Sequence, residues 1–578
     1  MNNLEFAKER YLGWLNCEYF DEQTRAELAS IKDDEKEITE RFYMDLEFGT
    51  AGLRGILGAG TNRMNKYTVR KATQGLANFI IKEGAADKGV VIGYDSRHFS
   101  PEFALESALC LAANGVKAYL FDNLRPTPEI SFACRYLGAT AAINITASHN
   151  PAKYNGYKVY WADGAQITPP YDTGIMDEVN AITEYDTCKT MDEQAALDAG
   201  LLVTISTEID DVYIENLKAQ VKEPEAIKEM GDKLRIVYTP LHGAGNLLVR
   251  RVLAELGFKN VFVVPEQEKP DGAFPTVPYP NPEAAQAFEL ALKLAKEKDA
   301  DLVLATDPDS DRLGVYVKDD AGEYHSLTGN LSGALLADYE CARLKAQGKL
   351  PLDGKIISTV VSGKMGRAIA AYYGAEYVEV LTGFKYIGEQ IKLIEESGKG
   401  SYLFGYEESY GCLIGTYARD KDAVVASMAL CEAAAYYKTQ GMNMWDAVVA
   451  LYERYGYFKE GVTSLEFEGI EGKQKMADIM ARLREELPTS IGSFEVLAKR
   501  DYIAKKRIDM KDGSEQPILL PKASVIYFEL PDDAWCCVRP SGTEPKIKLY
   551  YGVKGKSTDD AASIEETLKK DINTFVGV

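Results

Sequence analysis

Hydrophobic positions in this chain cluster into short apolar runs separated by amphipathic stretches. "GVVIGYDS" (89–96), "KAYLFD" (117–122) and "AAINITAS" (141–148) are continuous enough to predict buried strands. Between them, "PEFALESALCLAANG" (101–115) and "PTPEISFACRYLGA" (126–139) predict helices. The alternation returns in "LRIVYTP" (234–240), "NVFVVP" (260–265) and "DLVLATD" (301–307), and again in "KIISTVV" (355–361), "EYVEVL" (376–381) and "SYLFGYEE" (401–408). Strand and helix alternating in this way predict α/β layers with largely parallel sheets. Residues 1–45 predict acidic helices ahead of the first strand. The last portion changes character. "SVIYFELPDDAWCCVRP" and "KIKLYYGVKG" are strands close in sequence, followed by the helical "TDDAASIEETLKKDINTF", which suits a smaller α+β domain. Boundaries near 205, 323 and 457 divide the chain into 1–204, 205–322, 323–456 and 457–578. The proline-dense "PEQEKPDGAFPTVPYPNPE" (265–283) falls between a strand and a helix and predicts a long ordered loop, a common place for function.

Each α/β block also has a strand that runs straight into a polar, charged or glycine-bearing loop. These loops begin "TASHN", "TDPDSD" and "GYEESYG". Ligands of open α/β sheets bind beyond the carboxyl ends of strands, so the three loops, with one from the last domain, are expected to meet in a cleft.

Composition narrows the picture. A length of 578 residues calls for several domains, and 46% hydrophobic with 27% charged residues is ordinary for a globular protein. No apolar run approaches the roughly 18 residues of a membrane span, and the N-terminus does not read as a secretory signal. The nine cysteines form no CxxC pair, which predicts reduced thiols in a cytoplasmic protein. A net charge of −22 argues against nucleic acid or an anionic membrane as partner. An anionic substrate would therefore need a locally basic site.

The loops carry the chemistry. Asp307, Asp309 and Asp311 alternate in one tight loop, where their mutual repulsion would be offset by a divalent cation with oxygen ligands. An EF-hand is excluded because Arg312 and Lys318 stand where it needs glycine and glutamate. The alternative is a capping turn in which the aspartates accept backbone N–H groups. In "RPSGTEPKIKLYY" (539–551), Arg539, Ser541, Gly542 and Thr543 suit a phosphate clamp, or an ordinary turn before a strand. The two glutamates and serine of "GYEESYG" can bind sugar hydroxyls, or form a solvated acidic loop. Ser148 lacks the G-x-S-x-G elbow, and His149, as its immediate neighbour, is expected to be poorly placed as its base. A phosphate on Ser148 would supply the oxygen that three aspartates leave missing around a cation.

With "TASHNP" and "NGYK", "DPDSDR", "GYEESYG" and "RPSGTEPK" in this order, and with "GTAGLRG" (49–55) and "TGFKYI" (382–387), the chain resembles the α-D-phosphohexomutases, the phosphoglucomutase/phosphomannomutase superfamily. "TPLHGAG" (239–245) and "WADGAQI" (161–167) look like its longer, phosphoglucomutase-2-like branch. The resemblance implies three similar α/β domains with mixed sheets and a C-terminal α+β domain like the TATA-binding protein, heart-shaped around one cleft. It implies phosphoserine at Ser148 and Mg²⁺ held by Ser148, Asp307, Asp309 and Asp311. Arg54, Lys158 and His149 join Ser148 as implied catalytic residues. Arg312, Thr382, Gly383, Lys385, Glu407, Ser409, Arg419, Arg539, Ser541, Gly542 and Thr543 are implied substrate contacts. Tyr406 stands where many members have glycine.

The expected activity is interconversion of glucose 1-phosphate and glucose 6-phosphate, with glucose 1,6-bisphosphate as activator. Mannose or pentose phosphates on the same scaffold are the alternatives. Lys158 is expected to transfer the proton, with His149 second, which requires a lowered lysine pKa. The rival of another class is a sugar-phosphate phosphatase using Asp307 as nucleophile. Asp311 argues against it, because that motif wants threonine or valine there.

Overall fold

The computed structural model describes residues 3–47, 52–467, 469–540 and 546–577, with no side-chain description for 469–471 and 473. The chain forms two compact units. One runs up to Val315 and takes in Leu413–Glu432; the other holds Tyr316–Cys412 and the chain from Ala433 onward.

The first unit opens with three helices, Asn3–Asn16, Glu22–Ser30 and Glu35–Phe42. Asp21 and Asp34 cap the second and third through the N–H groups of Thr24 and Glu37. Their apolar faces close on an aromatic cluster in which Trp14 stacks on Phe20 at 4.0 Å and meets Phe42 and Tyr67 edge-on.

The strand that follows, Leu53–Ile56, edges a six-stranded sheet continuing through Tyr154–Trp161, Ala141–Ile145, Val90–Tyr94, Ala118–Phe121 and Leu202–Ile205. The last four run parallel; the apolar runs predict the first three of these, and Leu202–Ile205 adds a fourth. Tyr154–Trp161 returns antiparallel on both sides, which makes the sheet mixed. The antiparallel return leaves only residues 146–153 to turn the chain, and Ser148 sits in that turn. A second sheet has Arg235–Thr239 parallel to Asn260–Val263 and Leu302–Thr306, with Leu313–Lys318 beside the last. Val90–Tyr94, Ala141–Ile145 and Leu302–Thr306 are buried at every position, and each ends at a polar loop. Removing such apolar side chains from water is worth about 1.5–3 kcal/mol each, so these strands are held firmly.

In the second unit, Gly354–Thr359 lies parallel to Glu376–Val380 and Ser401–Glu407. The C-terminal part is a seven-stranded sheet, antiparallel throughout, in the order Tyr457–Glu466, Lys546–Gly555, Trp535–Pro540, Ile526–Glu529, Ala498–Asp501, Lys506–Asp509 and Glu515–Pro517. Helices Gly469–Glu485 and Thr558–Val576 bury Met480, Leu483, Leu568 and Ile572 in a core with Phe528, Cys536 and Leu549 of the sheet, the α+β arrangement expected. Among the described residues, no helix is long and apolar enough to cross a membrane.

Candidate functional site

Ser148 follows the buried strand Ala141–Ile145 and takes the left-handed conformation, φ 51°. Its N–H donates to Thr146 Oγ1 at 2.8 Å, and Thr146 Oγ1 donates to Asp95 Oδ2 at 2.6 Å. These bonds aim the Ser148 hydroxyl at the second sheet, where Oγ donates to Asp307 Oδ2 at 2.7 Å. The serine and the acidic loop, 159 residues apart, are therefore in direct contact.

The left-handed turn also brings His149 back onto its neighbour, with Nδ1 3.2 Å from Ser148 Oγ. The expectation that adjacency places His149 poorly as a base for Ser148 does not match this approach, which the left-handed turn permits. Arg54 donates from Nη1 to Asn150 Oδ1 at 3.3 Å, at the far end of the same turn.

The acidic loop begins where Leu302–Thr306 ends. Asp307, Asp309 and Asp311 are all buried and can place one carboxylate oxygen each within 4.8 Å of the others. The two sequence readings of this loop coexist. Asp307 Oδ1 caps the turn, accepting from the N–H groups of Asp311 and Arg312, while Oδ2 faces Ser148. Asp309 Oδ1 and Asp311 Oδ1 accept no hydrogen bond despite their burial. Burial, then repulsion from Asp309 and Asp311, push the Asp307 carboxyl well above its ordinary range. Buried carboxylate oxygens without donors and a triad unable to carry its full charge fit a hard cation with oxygen ligands. The triad is thus suited to metal binding.

Lys158 lies across from Asn144 in the antiparallel register. It donates from Nζ to Asp309 Oδ2 at 2.9 Å and lies 3.6 Å from Asp311 Oδ2. Burial disfavours the Asp309 charge, but Lys158, a hydrogen bond with Asp307 and Lys421 together more than offset this and hold the carboxyl below its usual range. The lowered Lys158 pKa is expected beside Mg²⁺ and basic residues; the protein's own groups alone act in the opposite direction. Burial lowers it, yet Asp309 and Asp311 outweigh burial and hold it above the ordinary lysine value. Thr127 adds a bond from Oγ1 to Asp309 Oδ2 at 2.9 Å.

Sequence reasoning overlooked two cations here. Lys421 reaches Asp311 Oδ2 at 2.9 Å, and Arg97, 1% exposed, donates to the carbonyls of Ser148 and Asn150. Asp-x-Arg immediately after a strand, in "GYDSRHFS", and the charge run "RDKDA" (419–423) are the signals they left. Arg312 donates to Glu283 at 2.7 Å and stays 17% exposed in its side chain. Arg419, an expected substrate contact, is held firmly in its loop. It is buried, its N–H donates to Ser131 Oγ, and its Nη1 donates to the carbonyls of Thr416 and Ala418, so it clasps its own loop.

In the second unit, Gly383 has φ 119° and donates its N–H to Glu407 Oε1 at 2.9 Å. Thr382 Oγ1 is buried without a hydrogen-bond partner, and the Lys385 ammonium lies 5.3 Å over the Tyr386 ring. Glu408 accepts from Thr359 Oγ1 at 2.9 Å, so this glutamate is tied to the scaffold. Ser409 precedes Tyr410, which has φ 67°. Arg539 pairs across the sheet with Lys548. Ser541, Gly542 and Thr543 lie outside the described residues, as do Gly49, Thr50 and Ala51 of "GTAGLRG".

Comparison with known proteins gives this geometry a family. Models of the phosphoglucomutase/phosphomannomutase α/β/α domains I, II and III match residues 45–186, 211–322 and 328–455. The chain is 39% identical over 524 residues to the phosphoglucomutase of Staphylococcus epidermidis, covering 90% of this chain and 92% of that one. It is 37% identical over 518 residues to that of Staphylococcus haemolyticus, covering 89% and 91%. Its fold is similar to that of the phosphoglucomutase parafusin from Paramecium in its open form, with TM-score 0.70, 18% identity, and 93% and 96% of the two chains covered. It is likewise similar to a phosphoglucomutase/phosphomannomutase family protein of Burkholderia thailandensis, with TM-score 0.63, 20% identity, and 90% and 96% covered. The chain belongs to the phosphoglucomutase/phosphomannomutase family.

Proposed function

We propose that this protein is a phosphoglucomutase working through a phosphorylated Ser148. The observation that carries the reading is the 2.7 Å bond from Ser148 Oγ to Asp307 in a triad with unsatisfied buried oxygens. The phosphoryl group of Ser148 passes to the free hydroxyl of a glucose monophosphate. The bond to Ser148 Oγ breaks, the bond to the sugar oxygen forms, and the hydroxyl proton leaves. The resulting glucose 1,6-bisphosphate turns over and returns its other phosphoryl group to Ser148. Added bisphosphate loads empty enzyme by the same step, which makes it the activator.

Asp307, Asp309 and Asp311, with an oxygen of phosphoSer148, would hold Mg²⁺, which when bound neutralises charge on the transferred group. Lys158 and Lys421 balance the triad from the protein side, so Lys158 acts as a fixed charge. His149, 3.2 Å from Ser148 Oγ, is the group placed to hold the transferred proton there. Arg54 braces the turn through Asn150. Arg312 adds positive charge beside the acidic loop. Glu407 and Ser409 bind sugar hydroxyls with Thr382, Gly383 and Lys385, and Arg539 with Ser541, Gly542 and Thr543 grips the phosphate that is not moving. Four domains with boundaries near 205, 323 and 457 carry these groups, and the work is done in the cytoplasm.

The glucose preference is supported by the name of the staphylococcal relatives at 35–39% identity. Incubation with glucose 1-phosphate, Mg²⁺ and the bisphosphate should yield glucose 6-phosphate. Release of inorganic phosphate in its place would overturn the reading in favour of a phosphatase. Faster turnover of mannose or ribose 1-phosphate would overturn the choice of sugar.

A further inference from the structure

We propose that the loop at 265–283 is a strap that positions the phosphoryl-carrying serine through Phe274 and Arg97, and so sets how well phosphoSer148 discriminates a sugar hydroxyl from water. The proposal rests on the phosphoserine reading above.

Arg97 commits both terminal nitrogens to one short stretch of backbone. Nη2 donates to the carbonyls of Ser148 and Asn150, and Nη1 to those of Pro151 and Tyr154 at 3.0 and 3.1 Å. A planar guanidinium fork can hold four carbonyls at once, whereas an ammonium cannot match that geometry. No terminal N–H is left for substrate, so Arg97 is a positioning residue. Its charge is met by Asp95, with Nε 3.3 Å from Oδ2, and by the Phe274 ring, whose centroid lies 5.0 Å from the guanidinium carbon.

Phe274 belongs to the strap. It is 1% exposed and takes φ 48°, a conformation that bulky residues rarely adopt without a compensating contact. The strap is anchored from below by His242, itself buried at φ 61°. His242 Nδ1 lies 3.1 Å from the carbonyl of Lys269, to which only an N–H can donate, and Nε2 lies 2.9 Å from Thr276 Oγ1. Gln267 donates to the same Thr276 oxygen at 3.0 Å. At Gly272 the strap touches the 96–98 turn so closely that a Cβ would stand 2.5 Å from the His98 nitrogen. The route is physical and continuous: His242, strap, Phe274, Arg97, Ser148 turn.

The test uses the full-length protein, its Ser148 loaded from glucose 1,6-bisphosphate and the phosphoprotein followed by intact mass. Phe274→Leu, which keeps apolar bulk and removes the ring, should lower kcat by about 10- to 100-fold, the cost of a misplacement near 1 Å, with KM nearly unchanged. PhosphoSer148 should lose its phosphate to water several-fold faster than in the parent. Gly272→Ala, which wedges the strap off the turn, should move both readouts in the same direction by less, and Arg97→Lys, whose ammonium cannot hold the four carbonyls, should move both in the same direction as Phe274→Leu. If Phe274→Leu does not fold, Gly272→Ala carries the test. Folded variants whose kcat and phosphoserine lifetime stay within twofold of the parent, or which change KM alone, would overturn the strap. A parent protein that never acquires phosphate on Ser148 would instead overturn the phosphoserine reading, before any variant is made.

Discussion

The two units hold two kinds of functional surface. Around Ser148 the groups are buried, ion-paired and fixed through several layers: Asp309 meets Lys158 and Thr127, Asp311 meets Lys421, and the serine turn is clasped by Arg97. The residues of the second unit proposed to bind the sugar are arranged differently. Glu407 meets a backbone N–H, Glu408 is tied to Thr359, and Thr382 Oγ1 has no hydrogen-bond partner. The contrast fits the two tasks proposed for these loops. Moving a phosphoryl group demands charges held in place before the substrate arrives, because stabilising a transition state costs no reorganisation only when the dipoles are already fixed. Accepting either end of a sugar demands donors and acceptors that tolerate two poses.

The comparison can be broken in four ways. Ser148→Ala should show the largest effect, a loss of at least roughly 10⁴-fold in turnover with no phosphoprotein by mass, as expected for a covalent nucleophile. Metal removal comes next. EDTA should abolish turnover in a coupled assay yet leave the circular dichroism spectrum intact, because Lys158 and Lys421 still balance the triad. Asp309→Asn should lower activity by about 10²–10³-fold by stripping the charge that Lys158 faces. In the second unit, Glu407→Gln keeps an oxygen for the Gly383 N–H. It should cost only about tenfold in kcat/KM, the size of one lost charge-assisted bond. An equal loss for Glu407→Gln and Asp309→Asn would erase the distinction between the two regions.

The smallest effect concerns stability. Glu460 carries a carboxyl pushed up to about 7 by burial, with Lys364 only partly offsetting it. An unfolded glutamate releases its proton at lower pH than this folded one. The folded state therefore binds more protons across the interval, and this group's contribution declines as pH rises from about 4.5 towards 7. Glu460→Gln should raise Tm at pH 8 by roughly 2–4 °C, the shift expected per kcal/mol, and leave it unchanged at pH 4. A uniform shift across pH would place the cause elsewhere.

Much of this was legible in the chain. Apolar runs such as "AAINITAS" and "DLVLATD" announced the buried strands, because burial on both faces leaves no room for polar alternation. Tyr154–Trp161 was harder to see, since a strand mixing tyrosine, lysine and glycine has no simple period, and its antiparallel return turned a largely parallel sheet into a mixed one. Tyr457–Glu466, with only Phe458 fully buried along it, was hidden for the same reason. Ser148 and the three aspartates stood out by spacing and loop position. Arg97, Lys421 and the return of His149 onto Ser148 did not, because each depends on a backbone turn or on partners distant along the chain.

The division has a physical cause. Local burial patterns and loop chemistry are properties of neighbouring residues, so the sequence alone determined the α/β layering, the site loops and the family. Which carboxylate faces the serine, whether Lys158 is raised or lowered, and what clamps the turn depend on distances between groups far apart in the chain. Electrostatic energies change steeply over those few ångströms, and only the tertiary structure decides them.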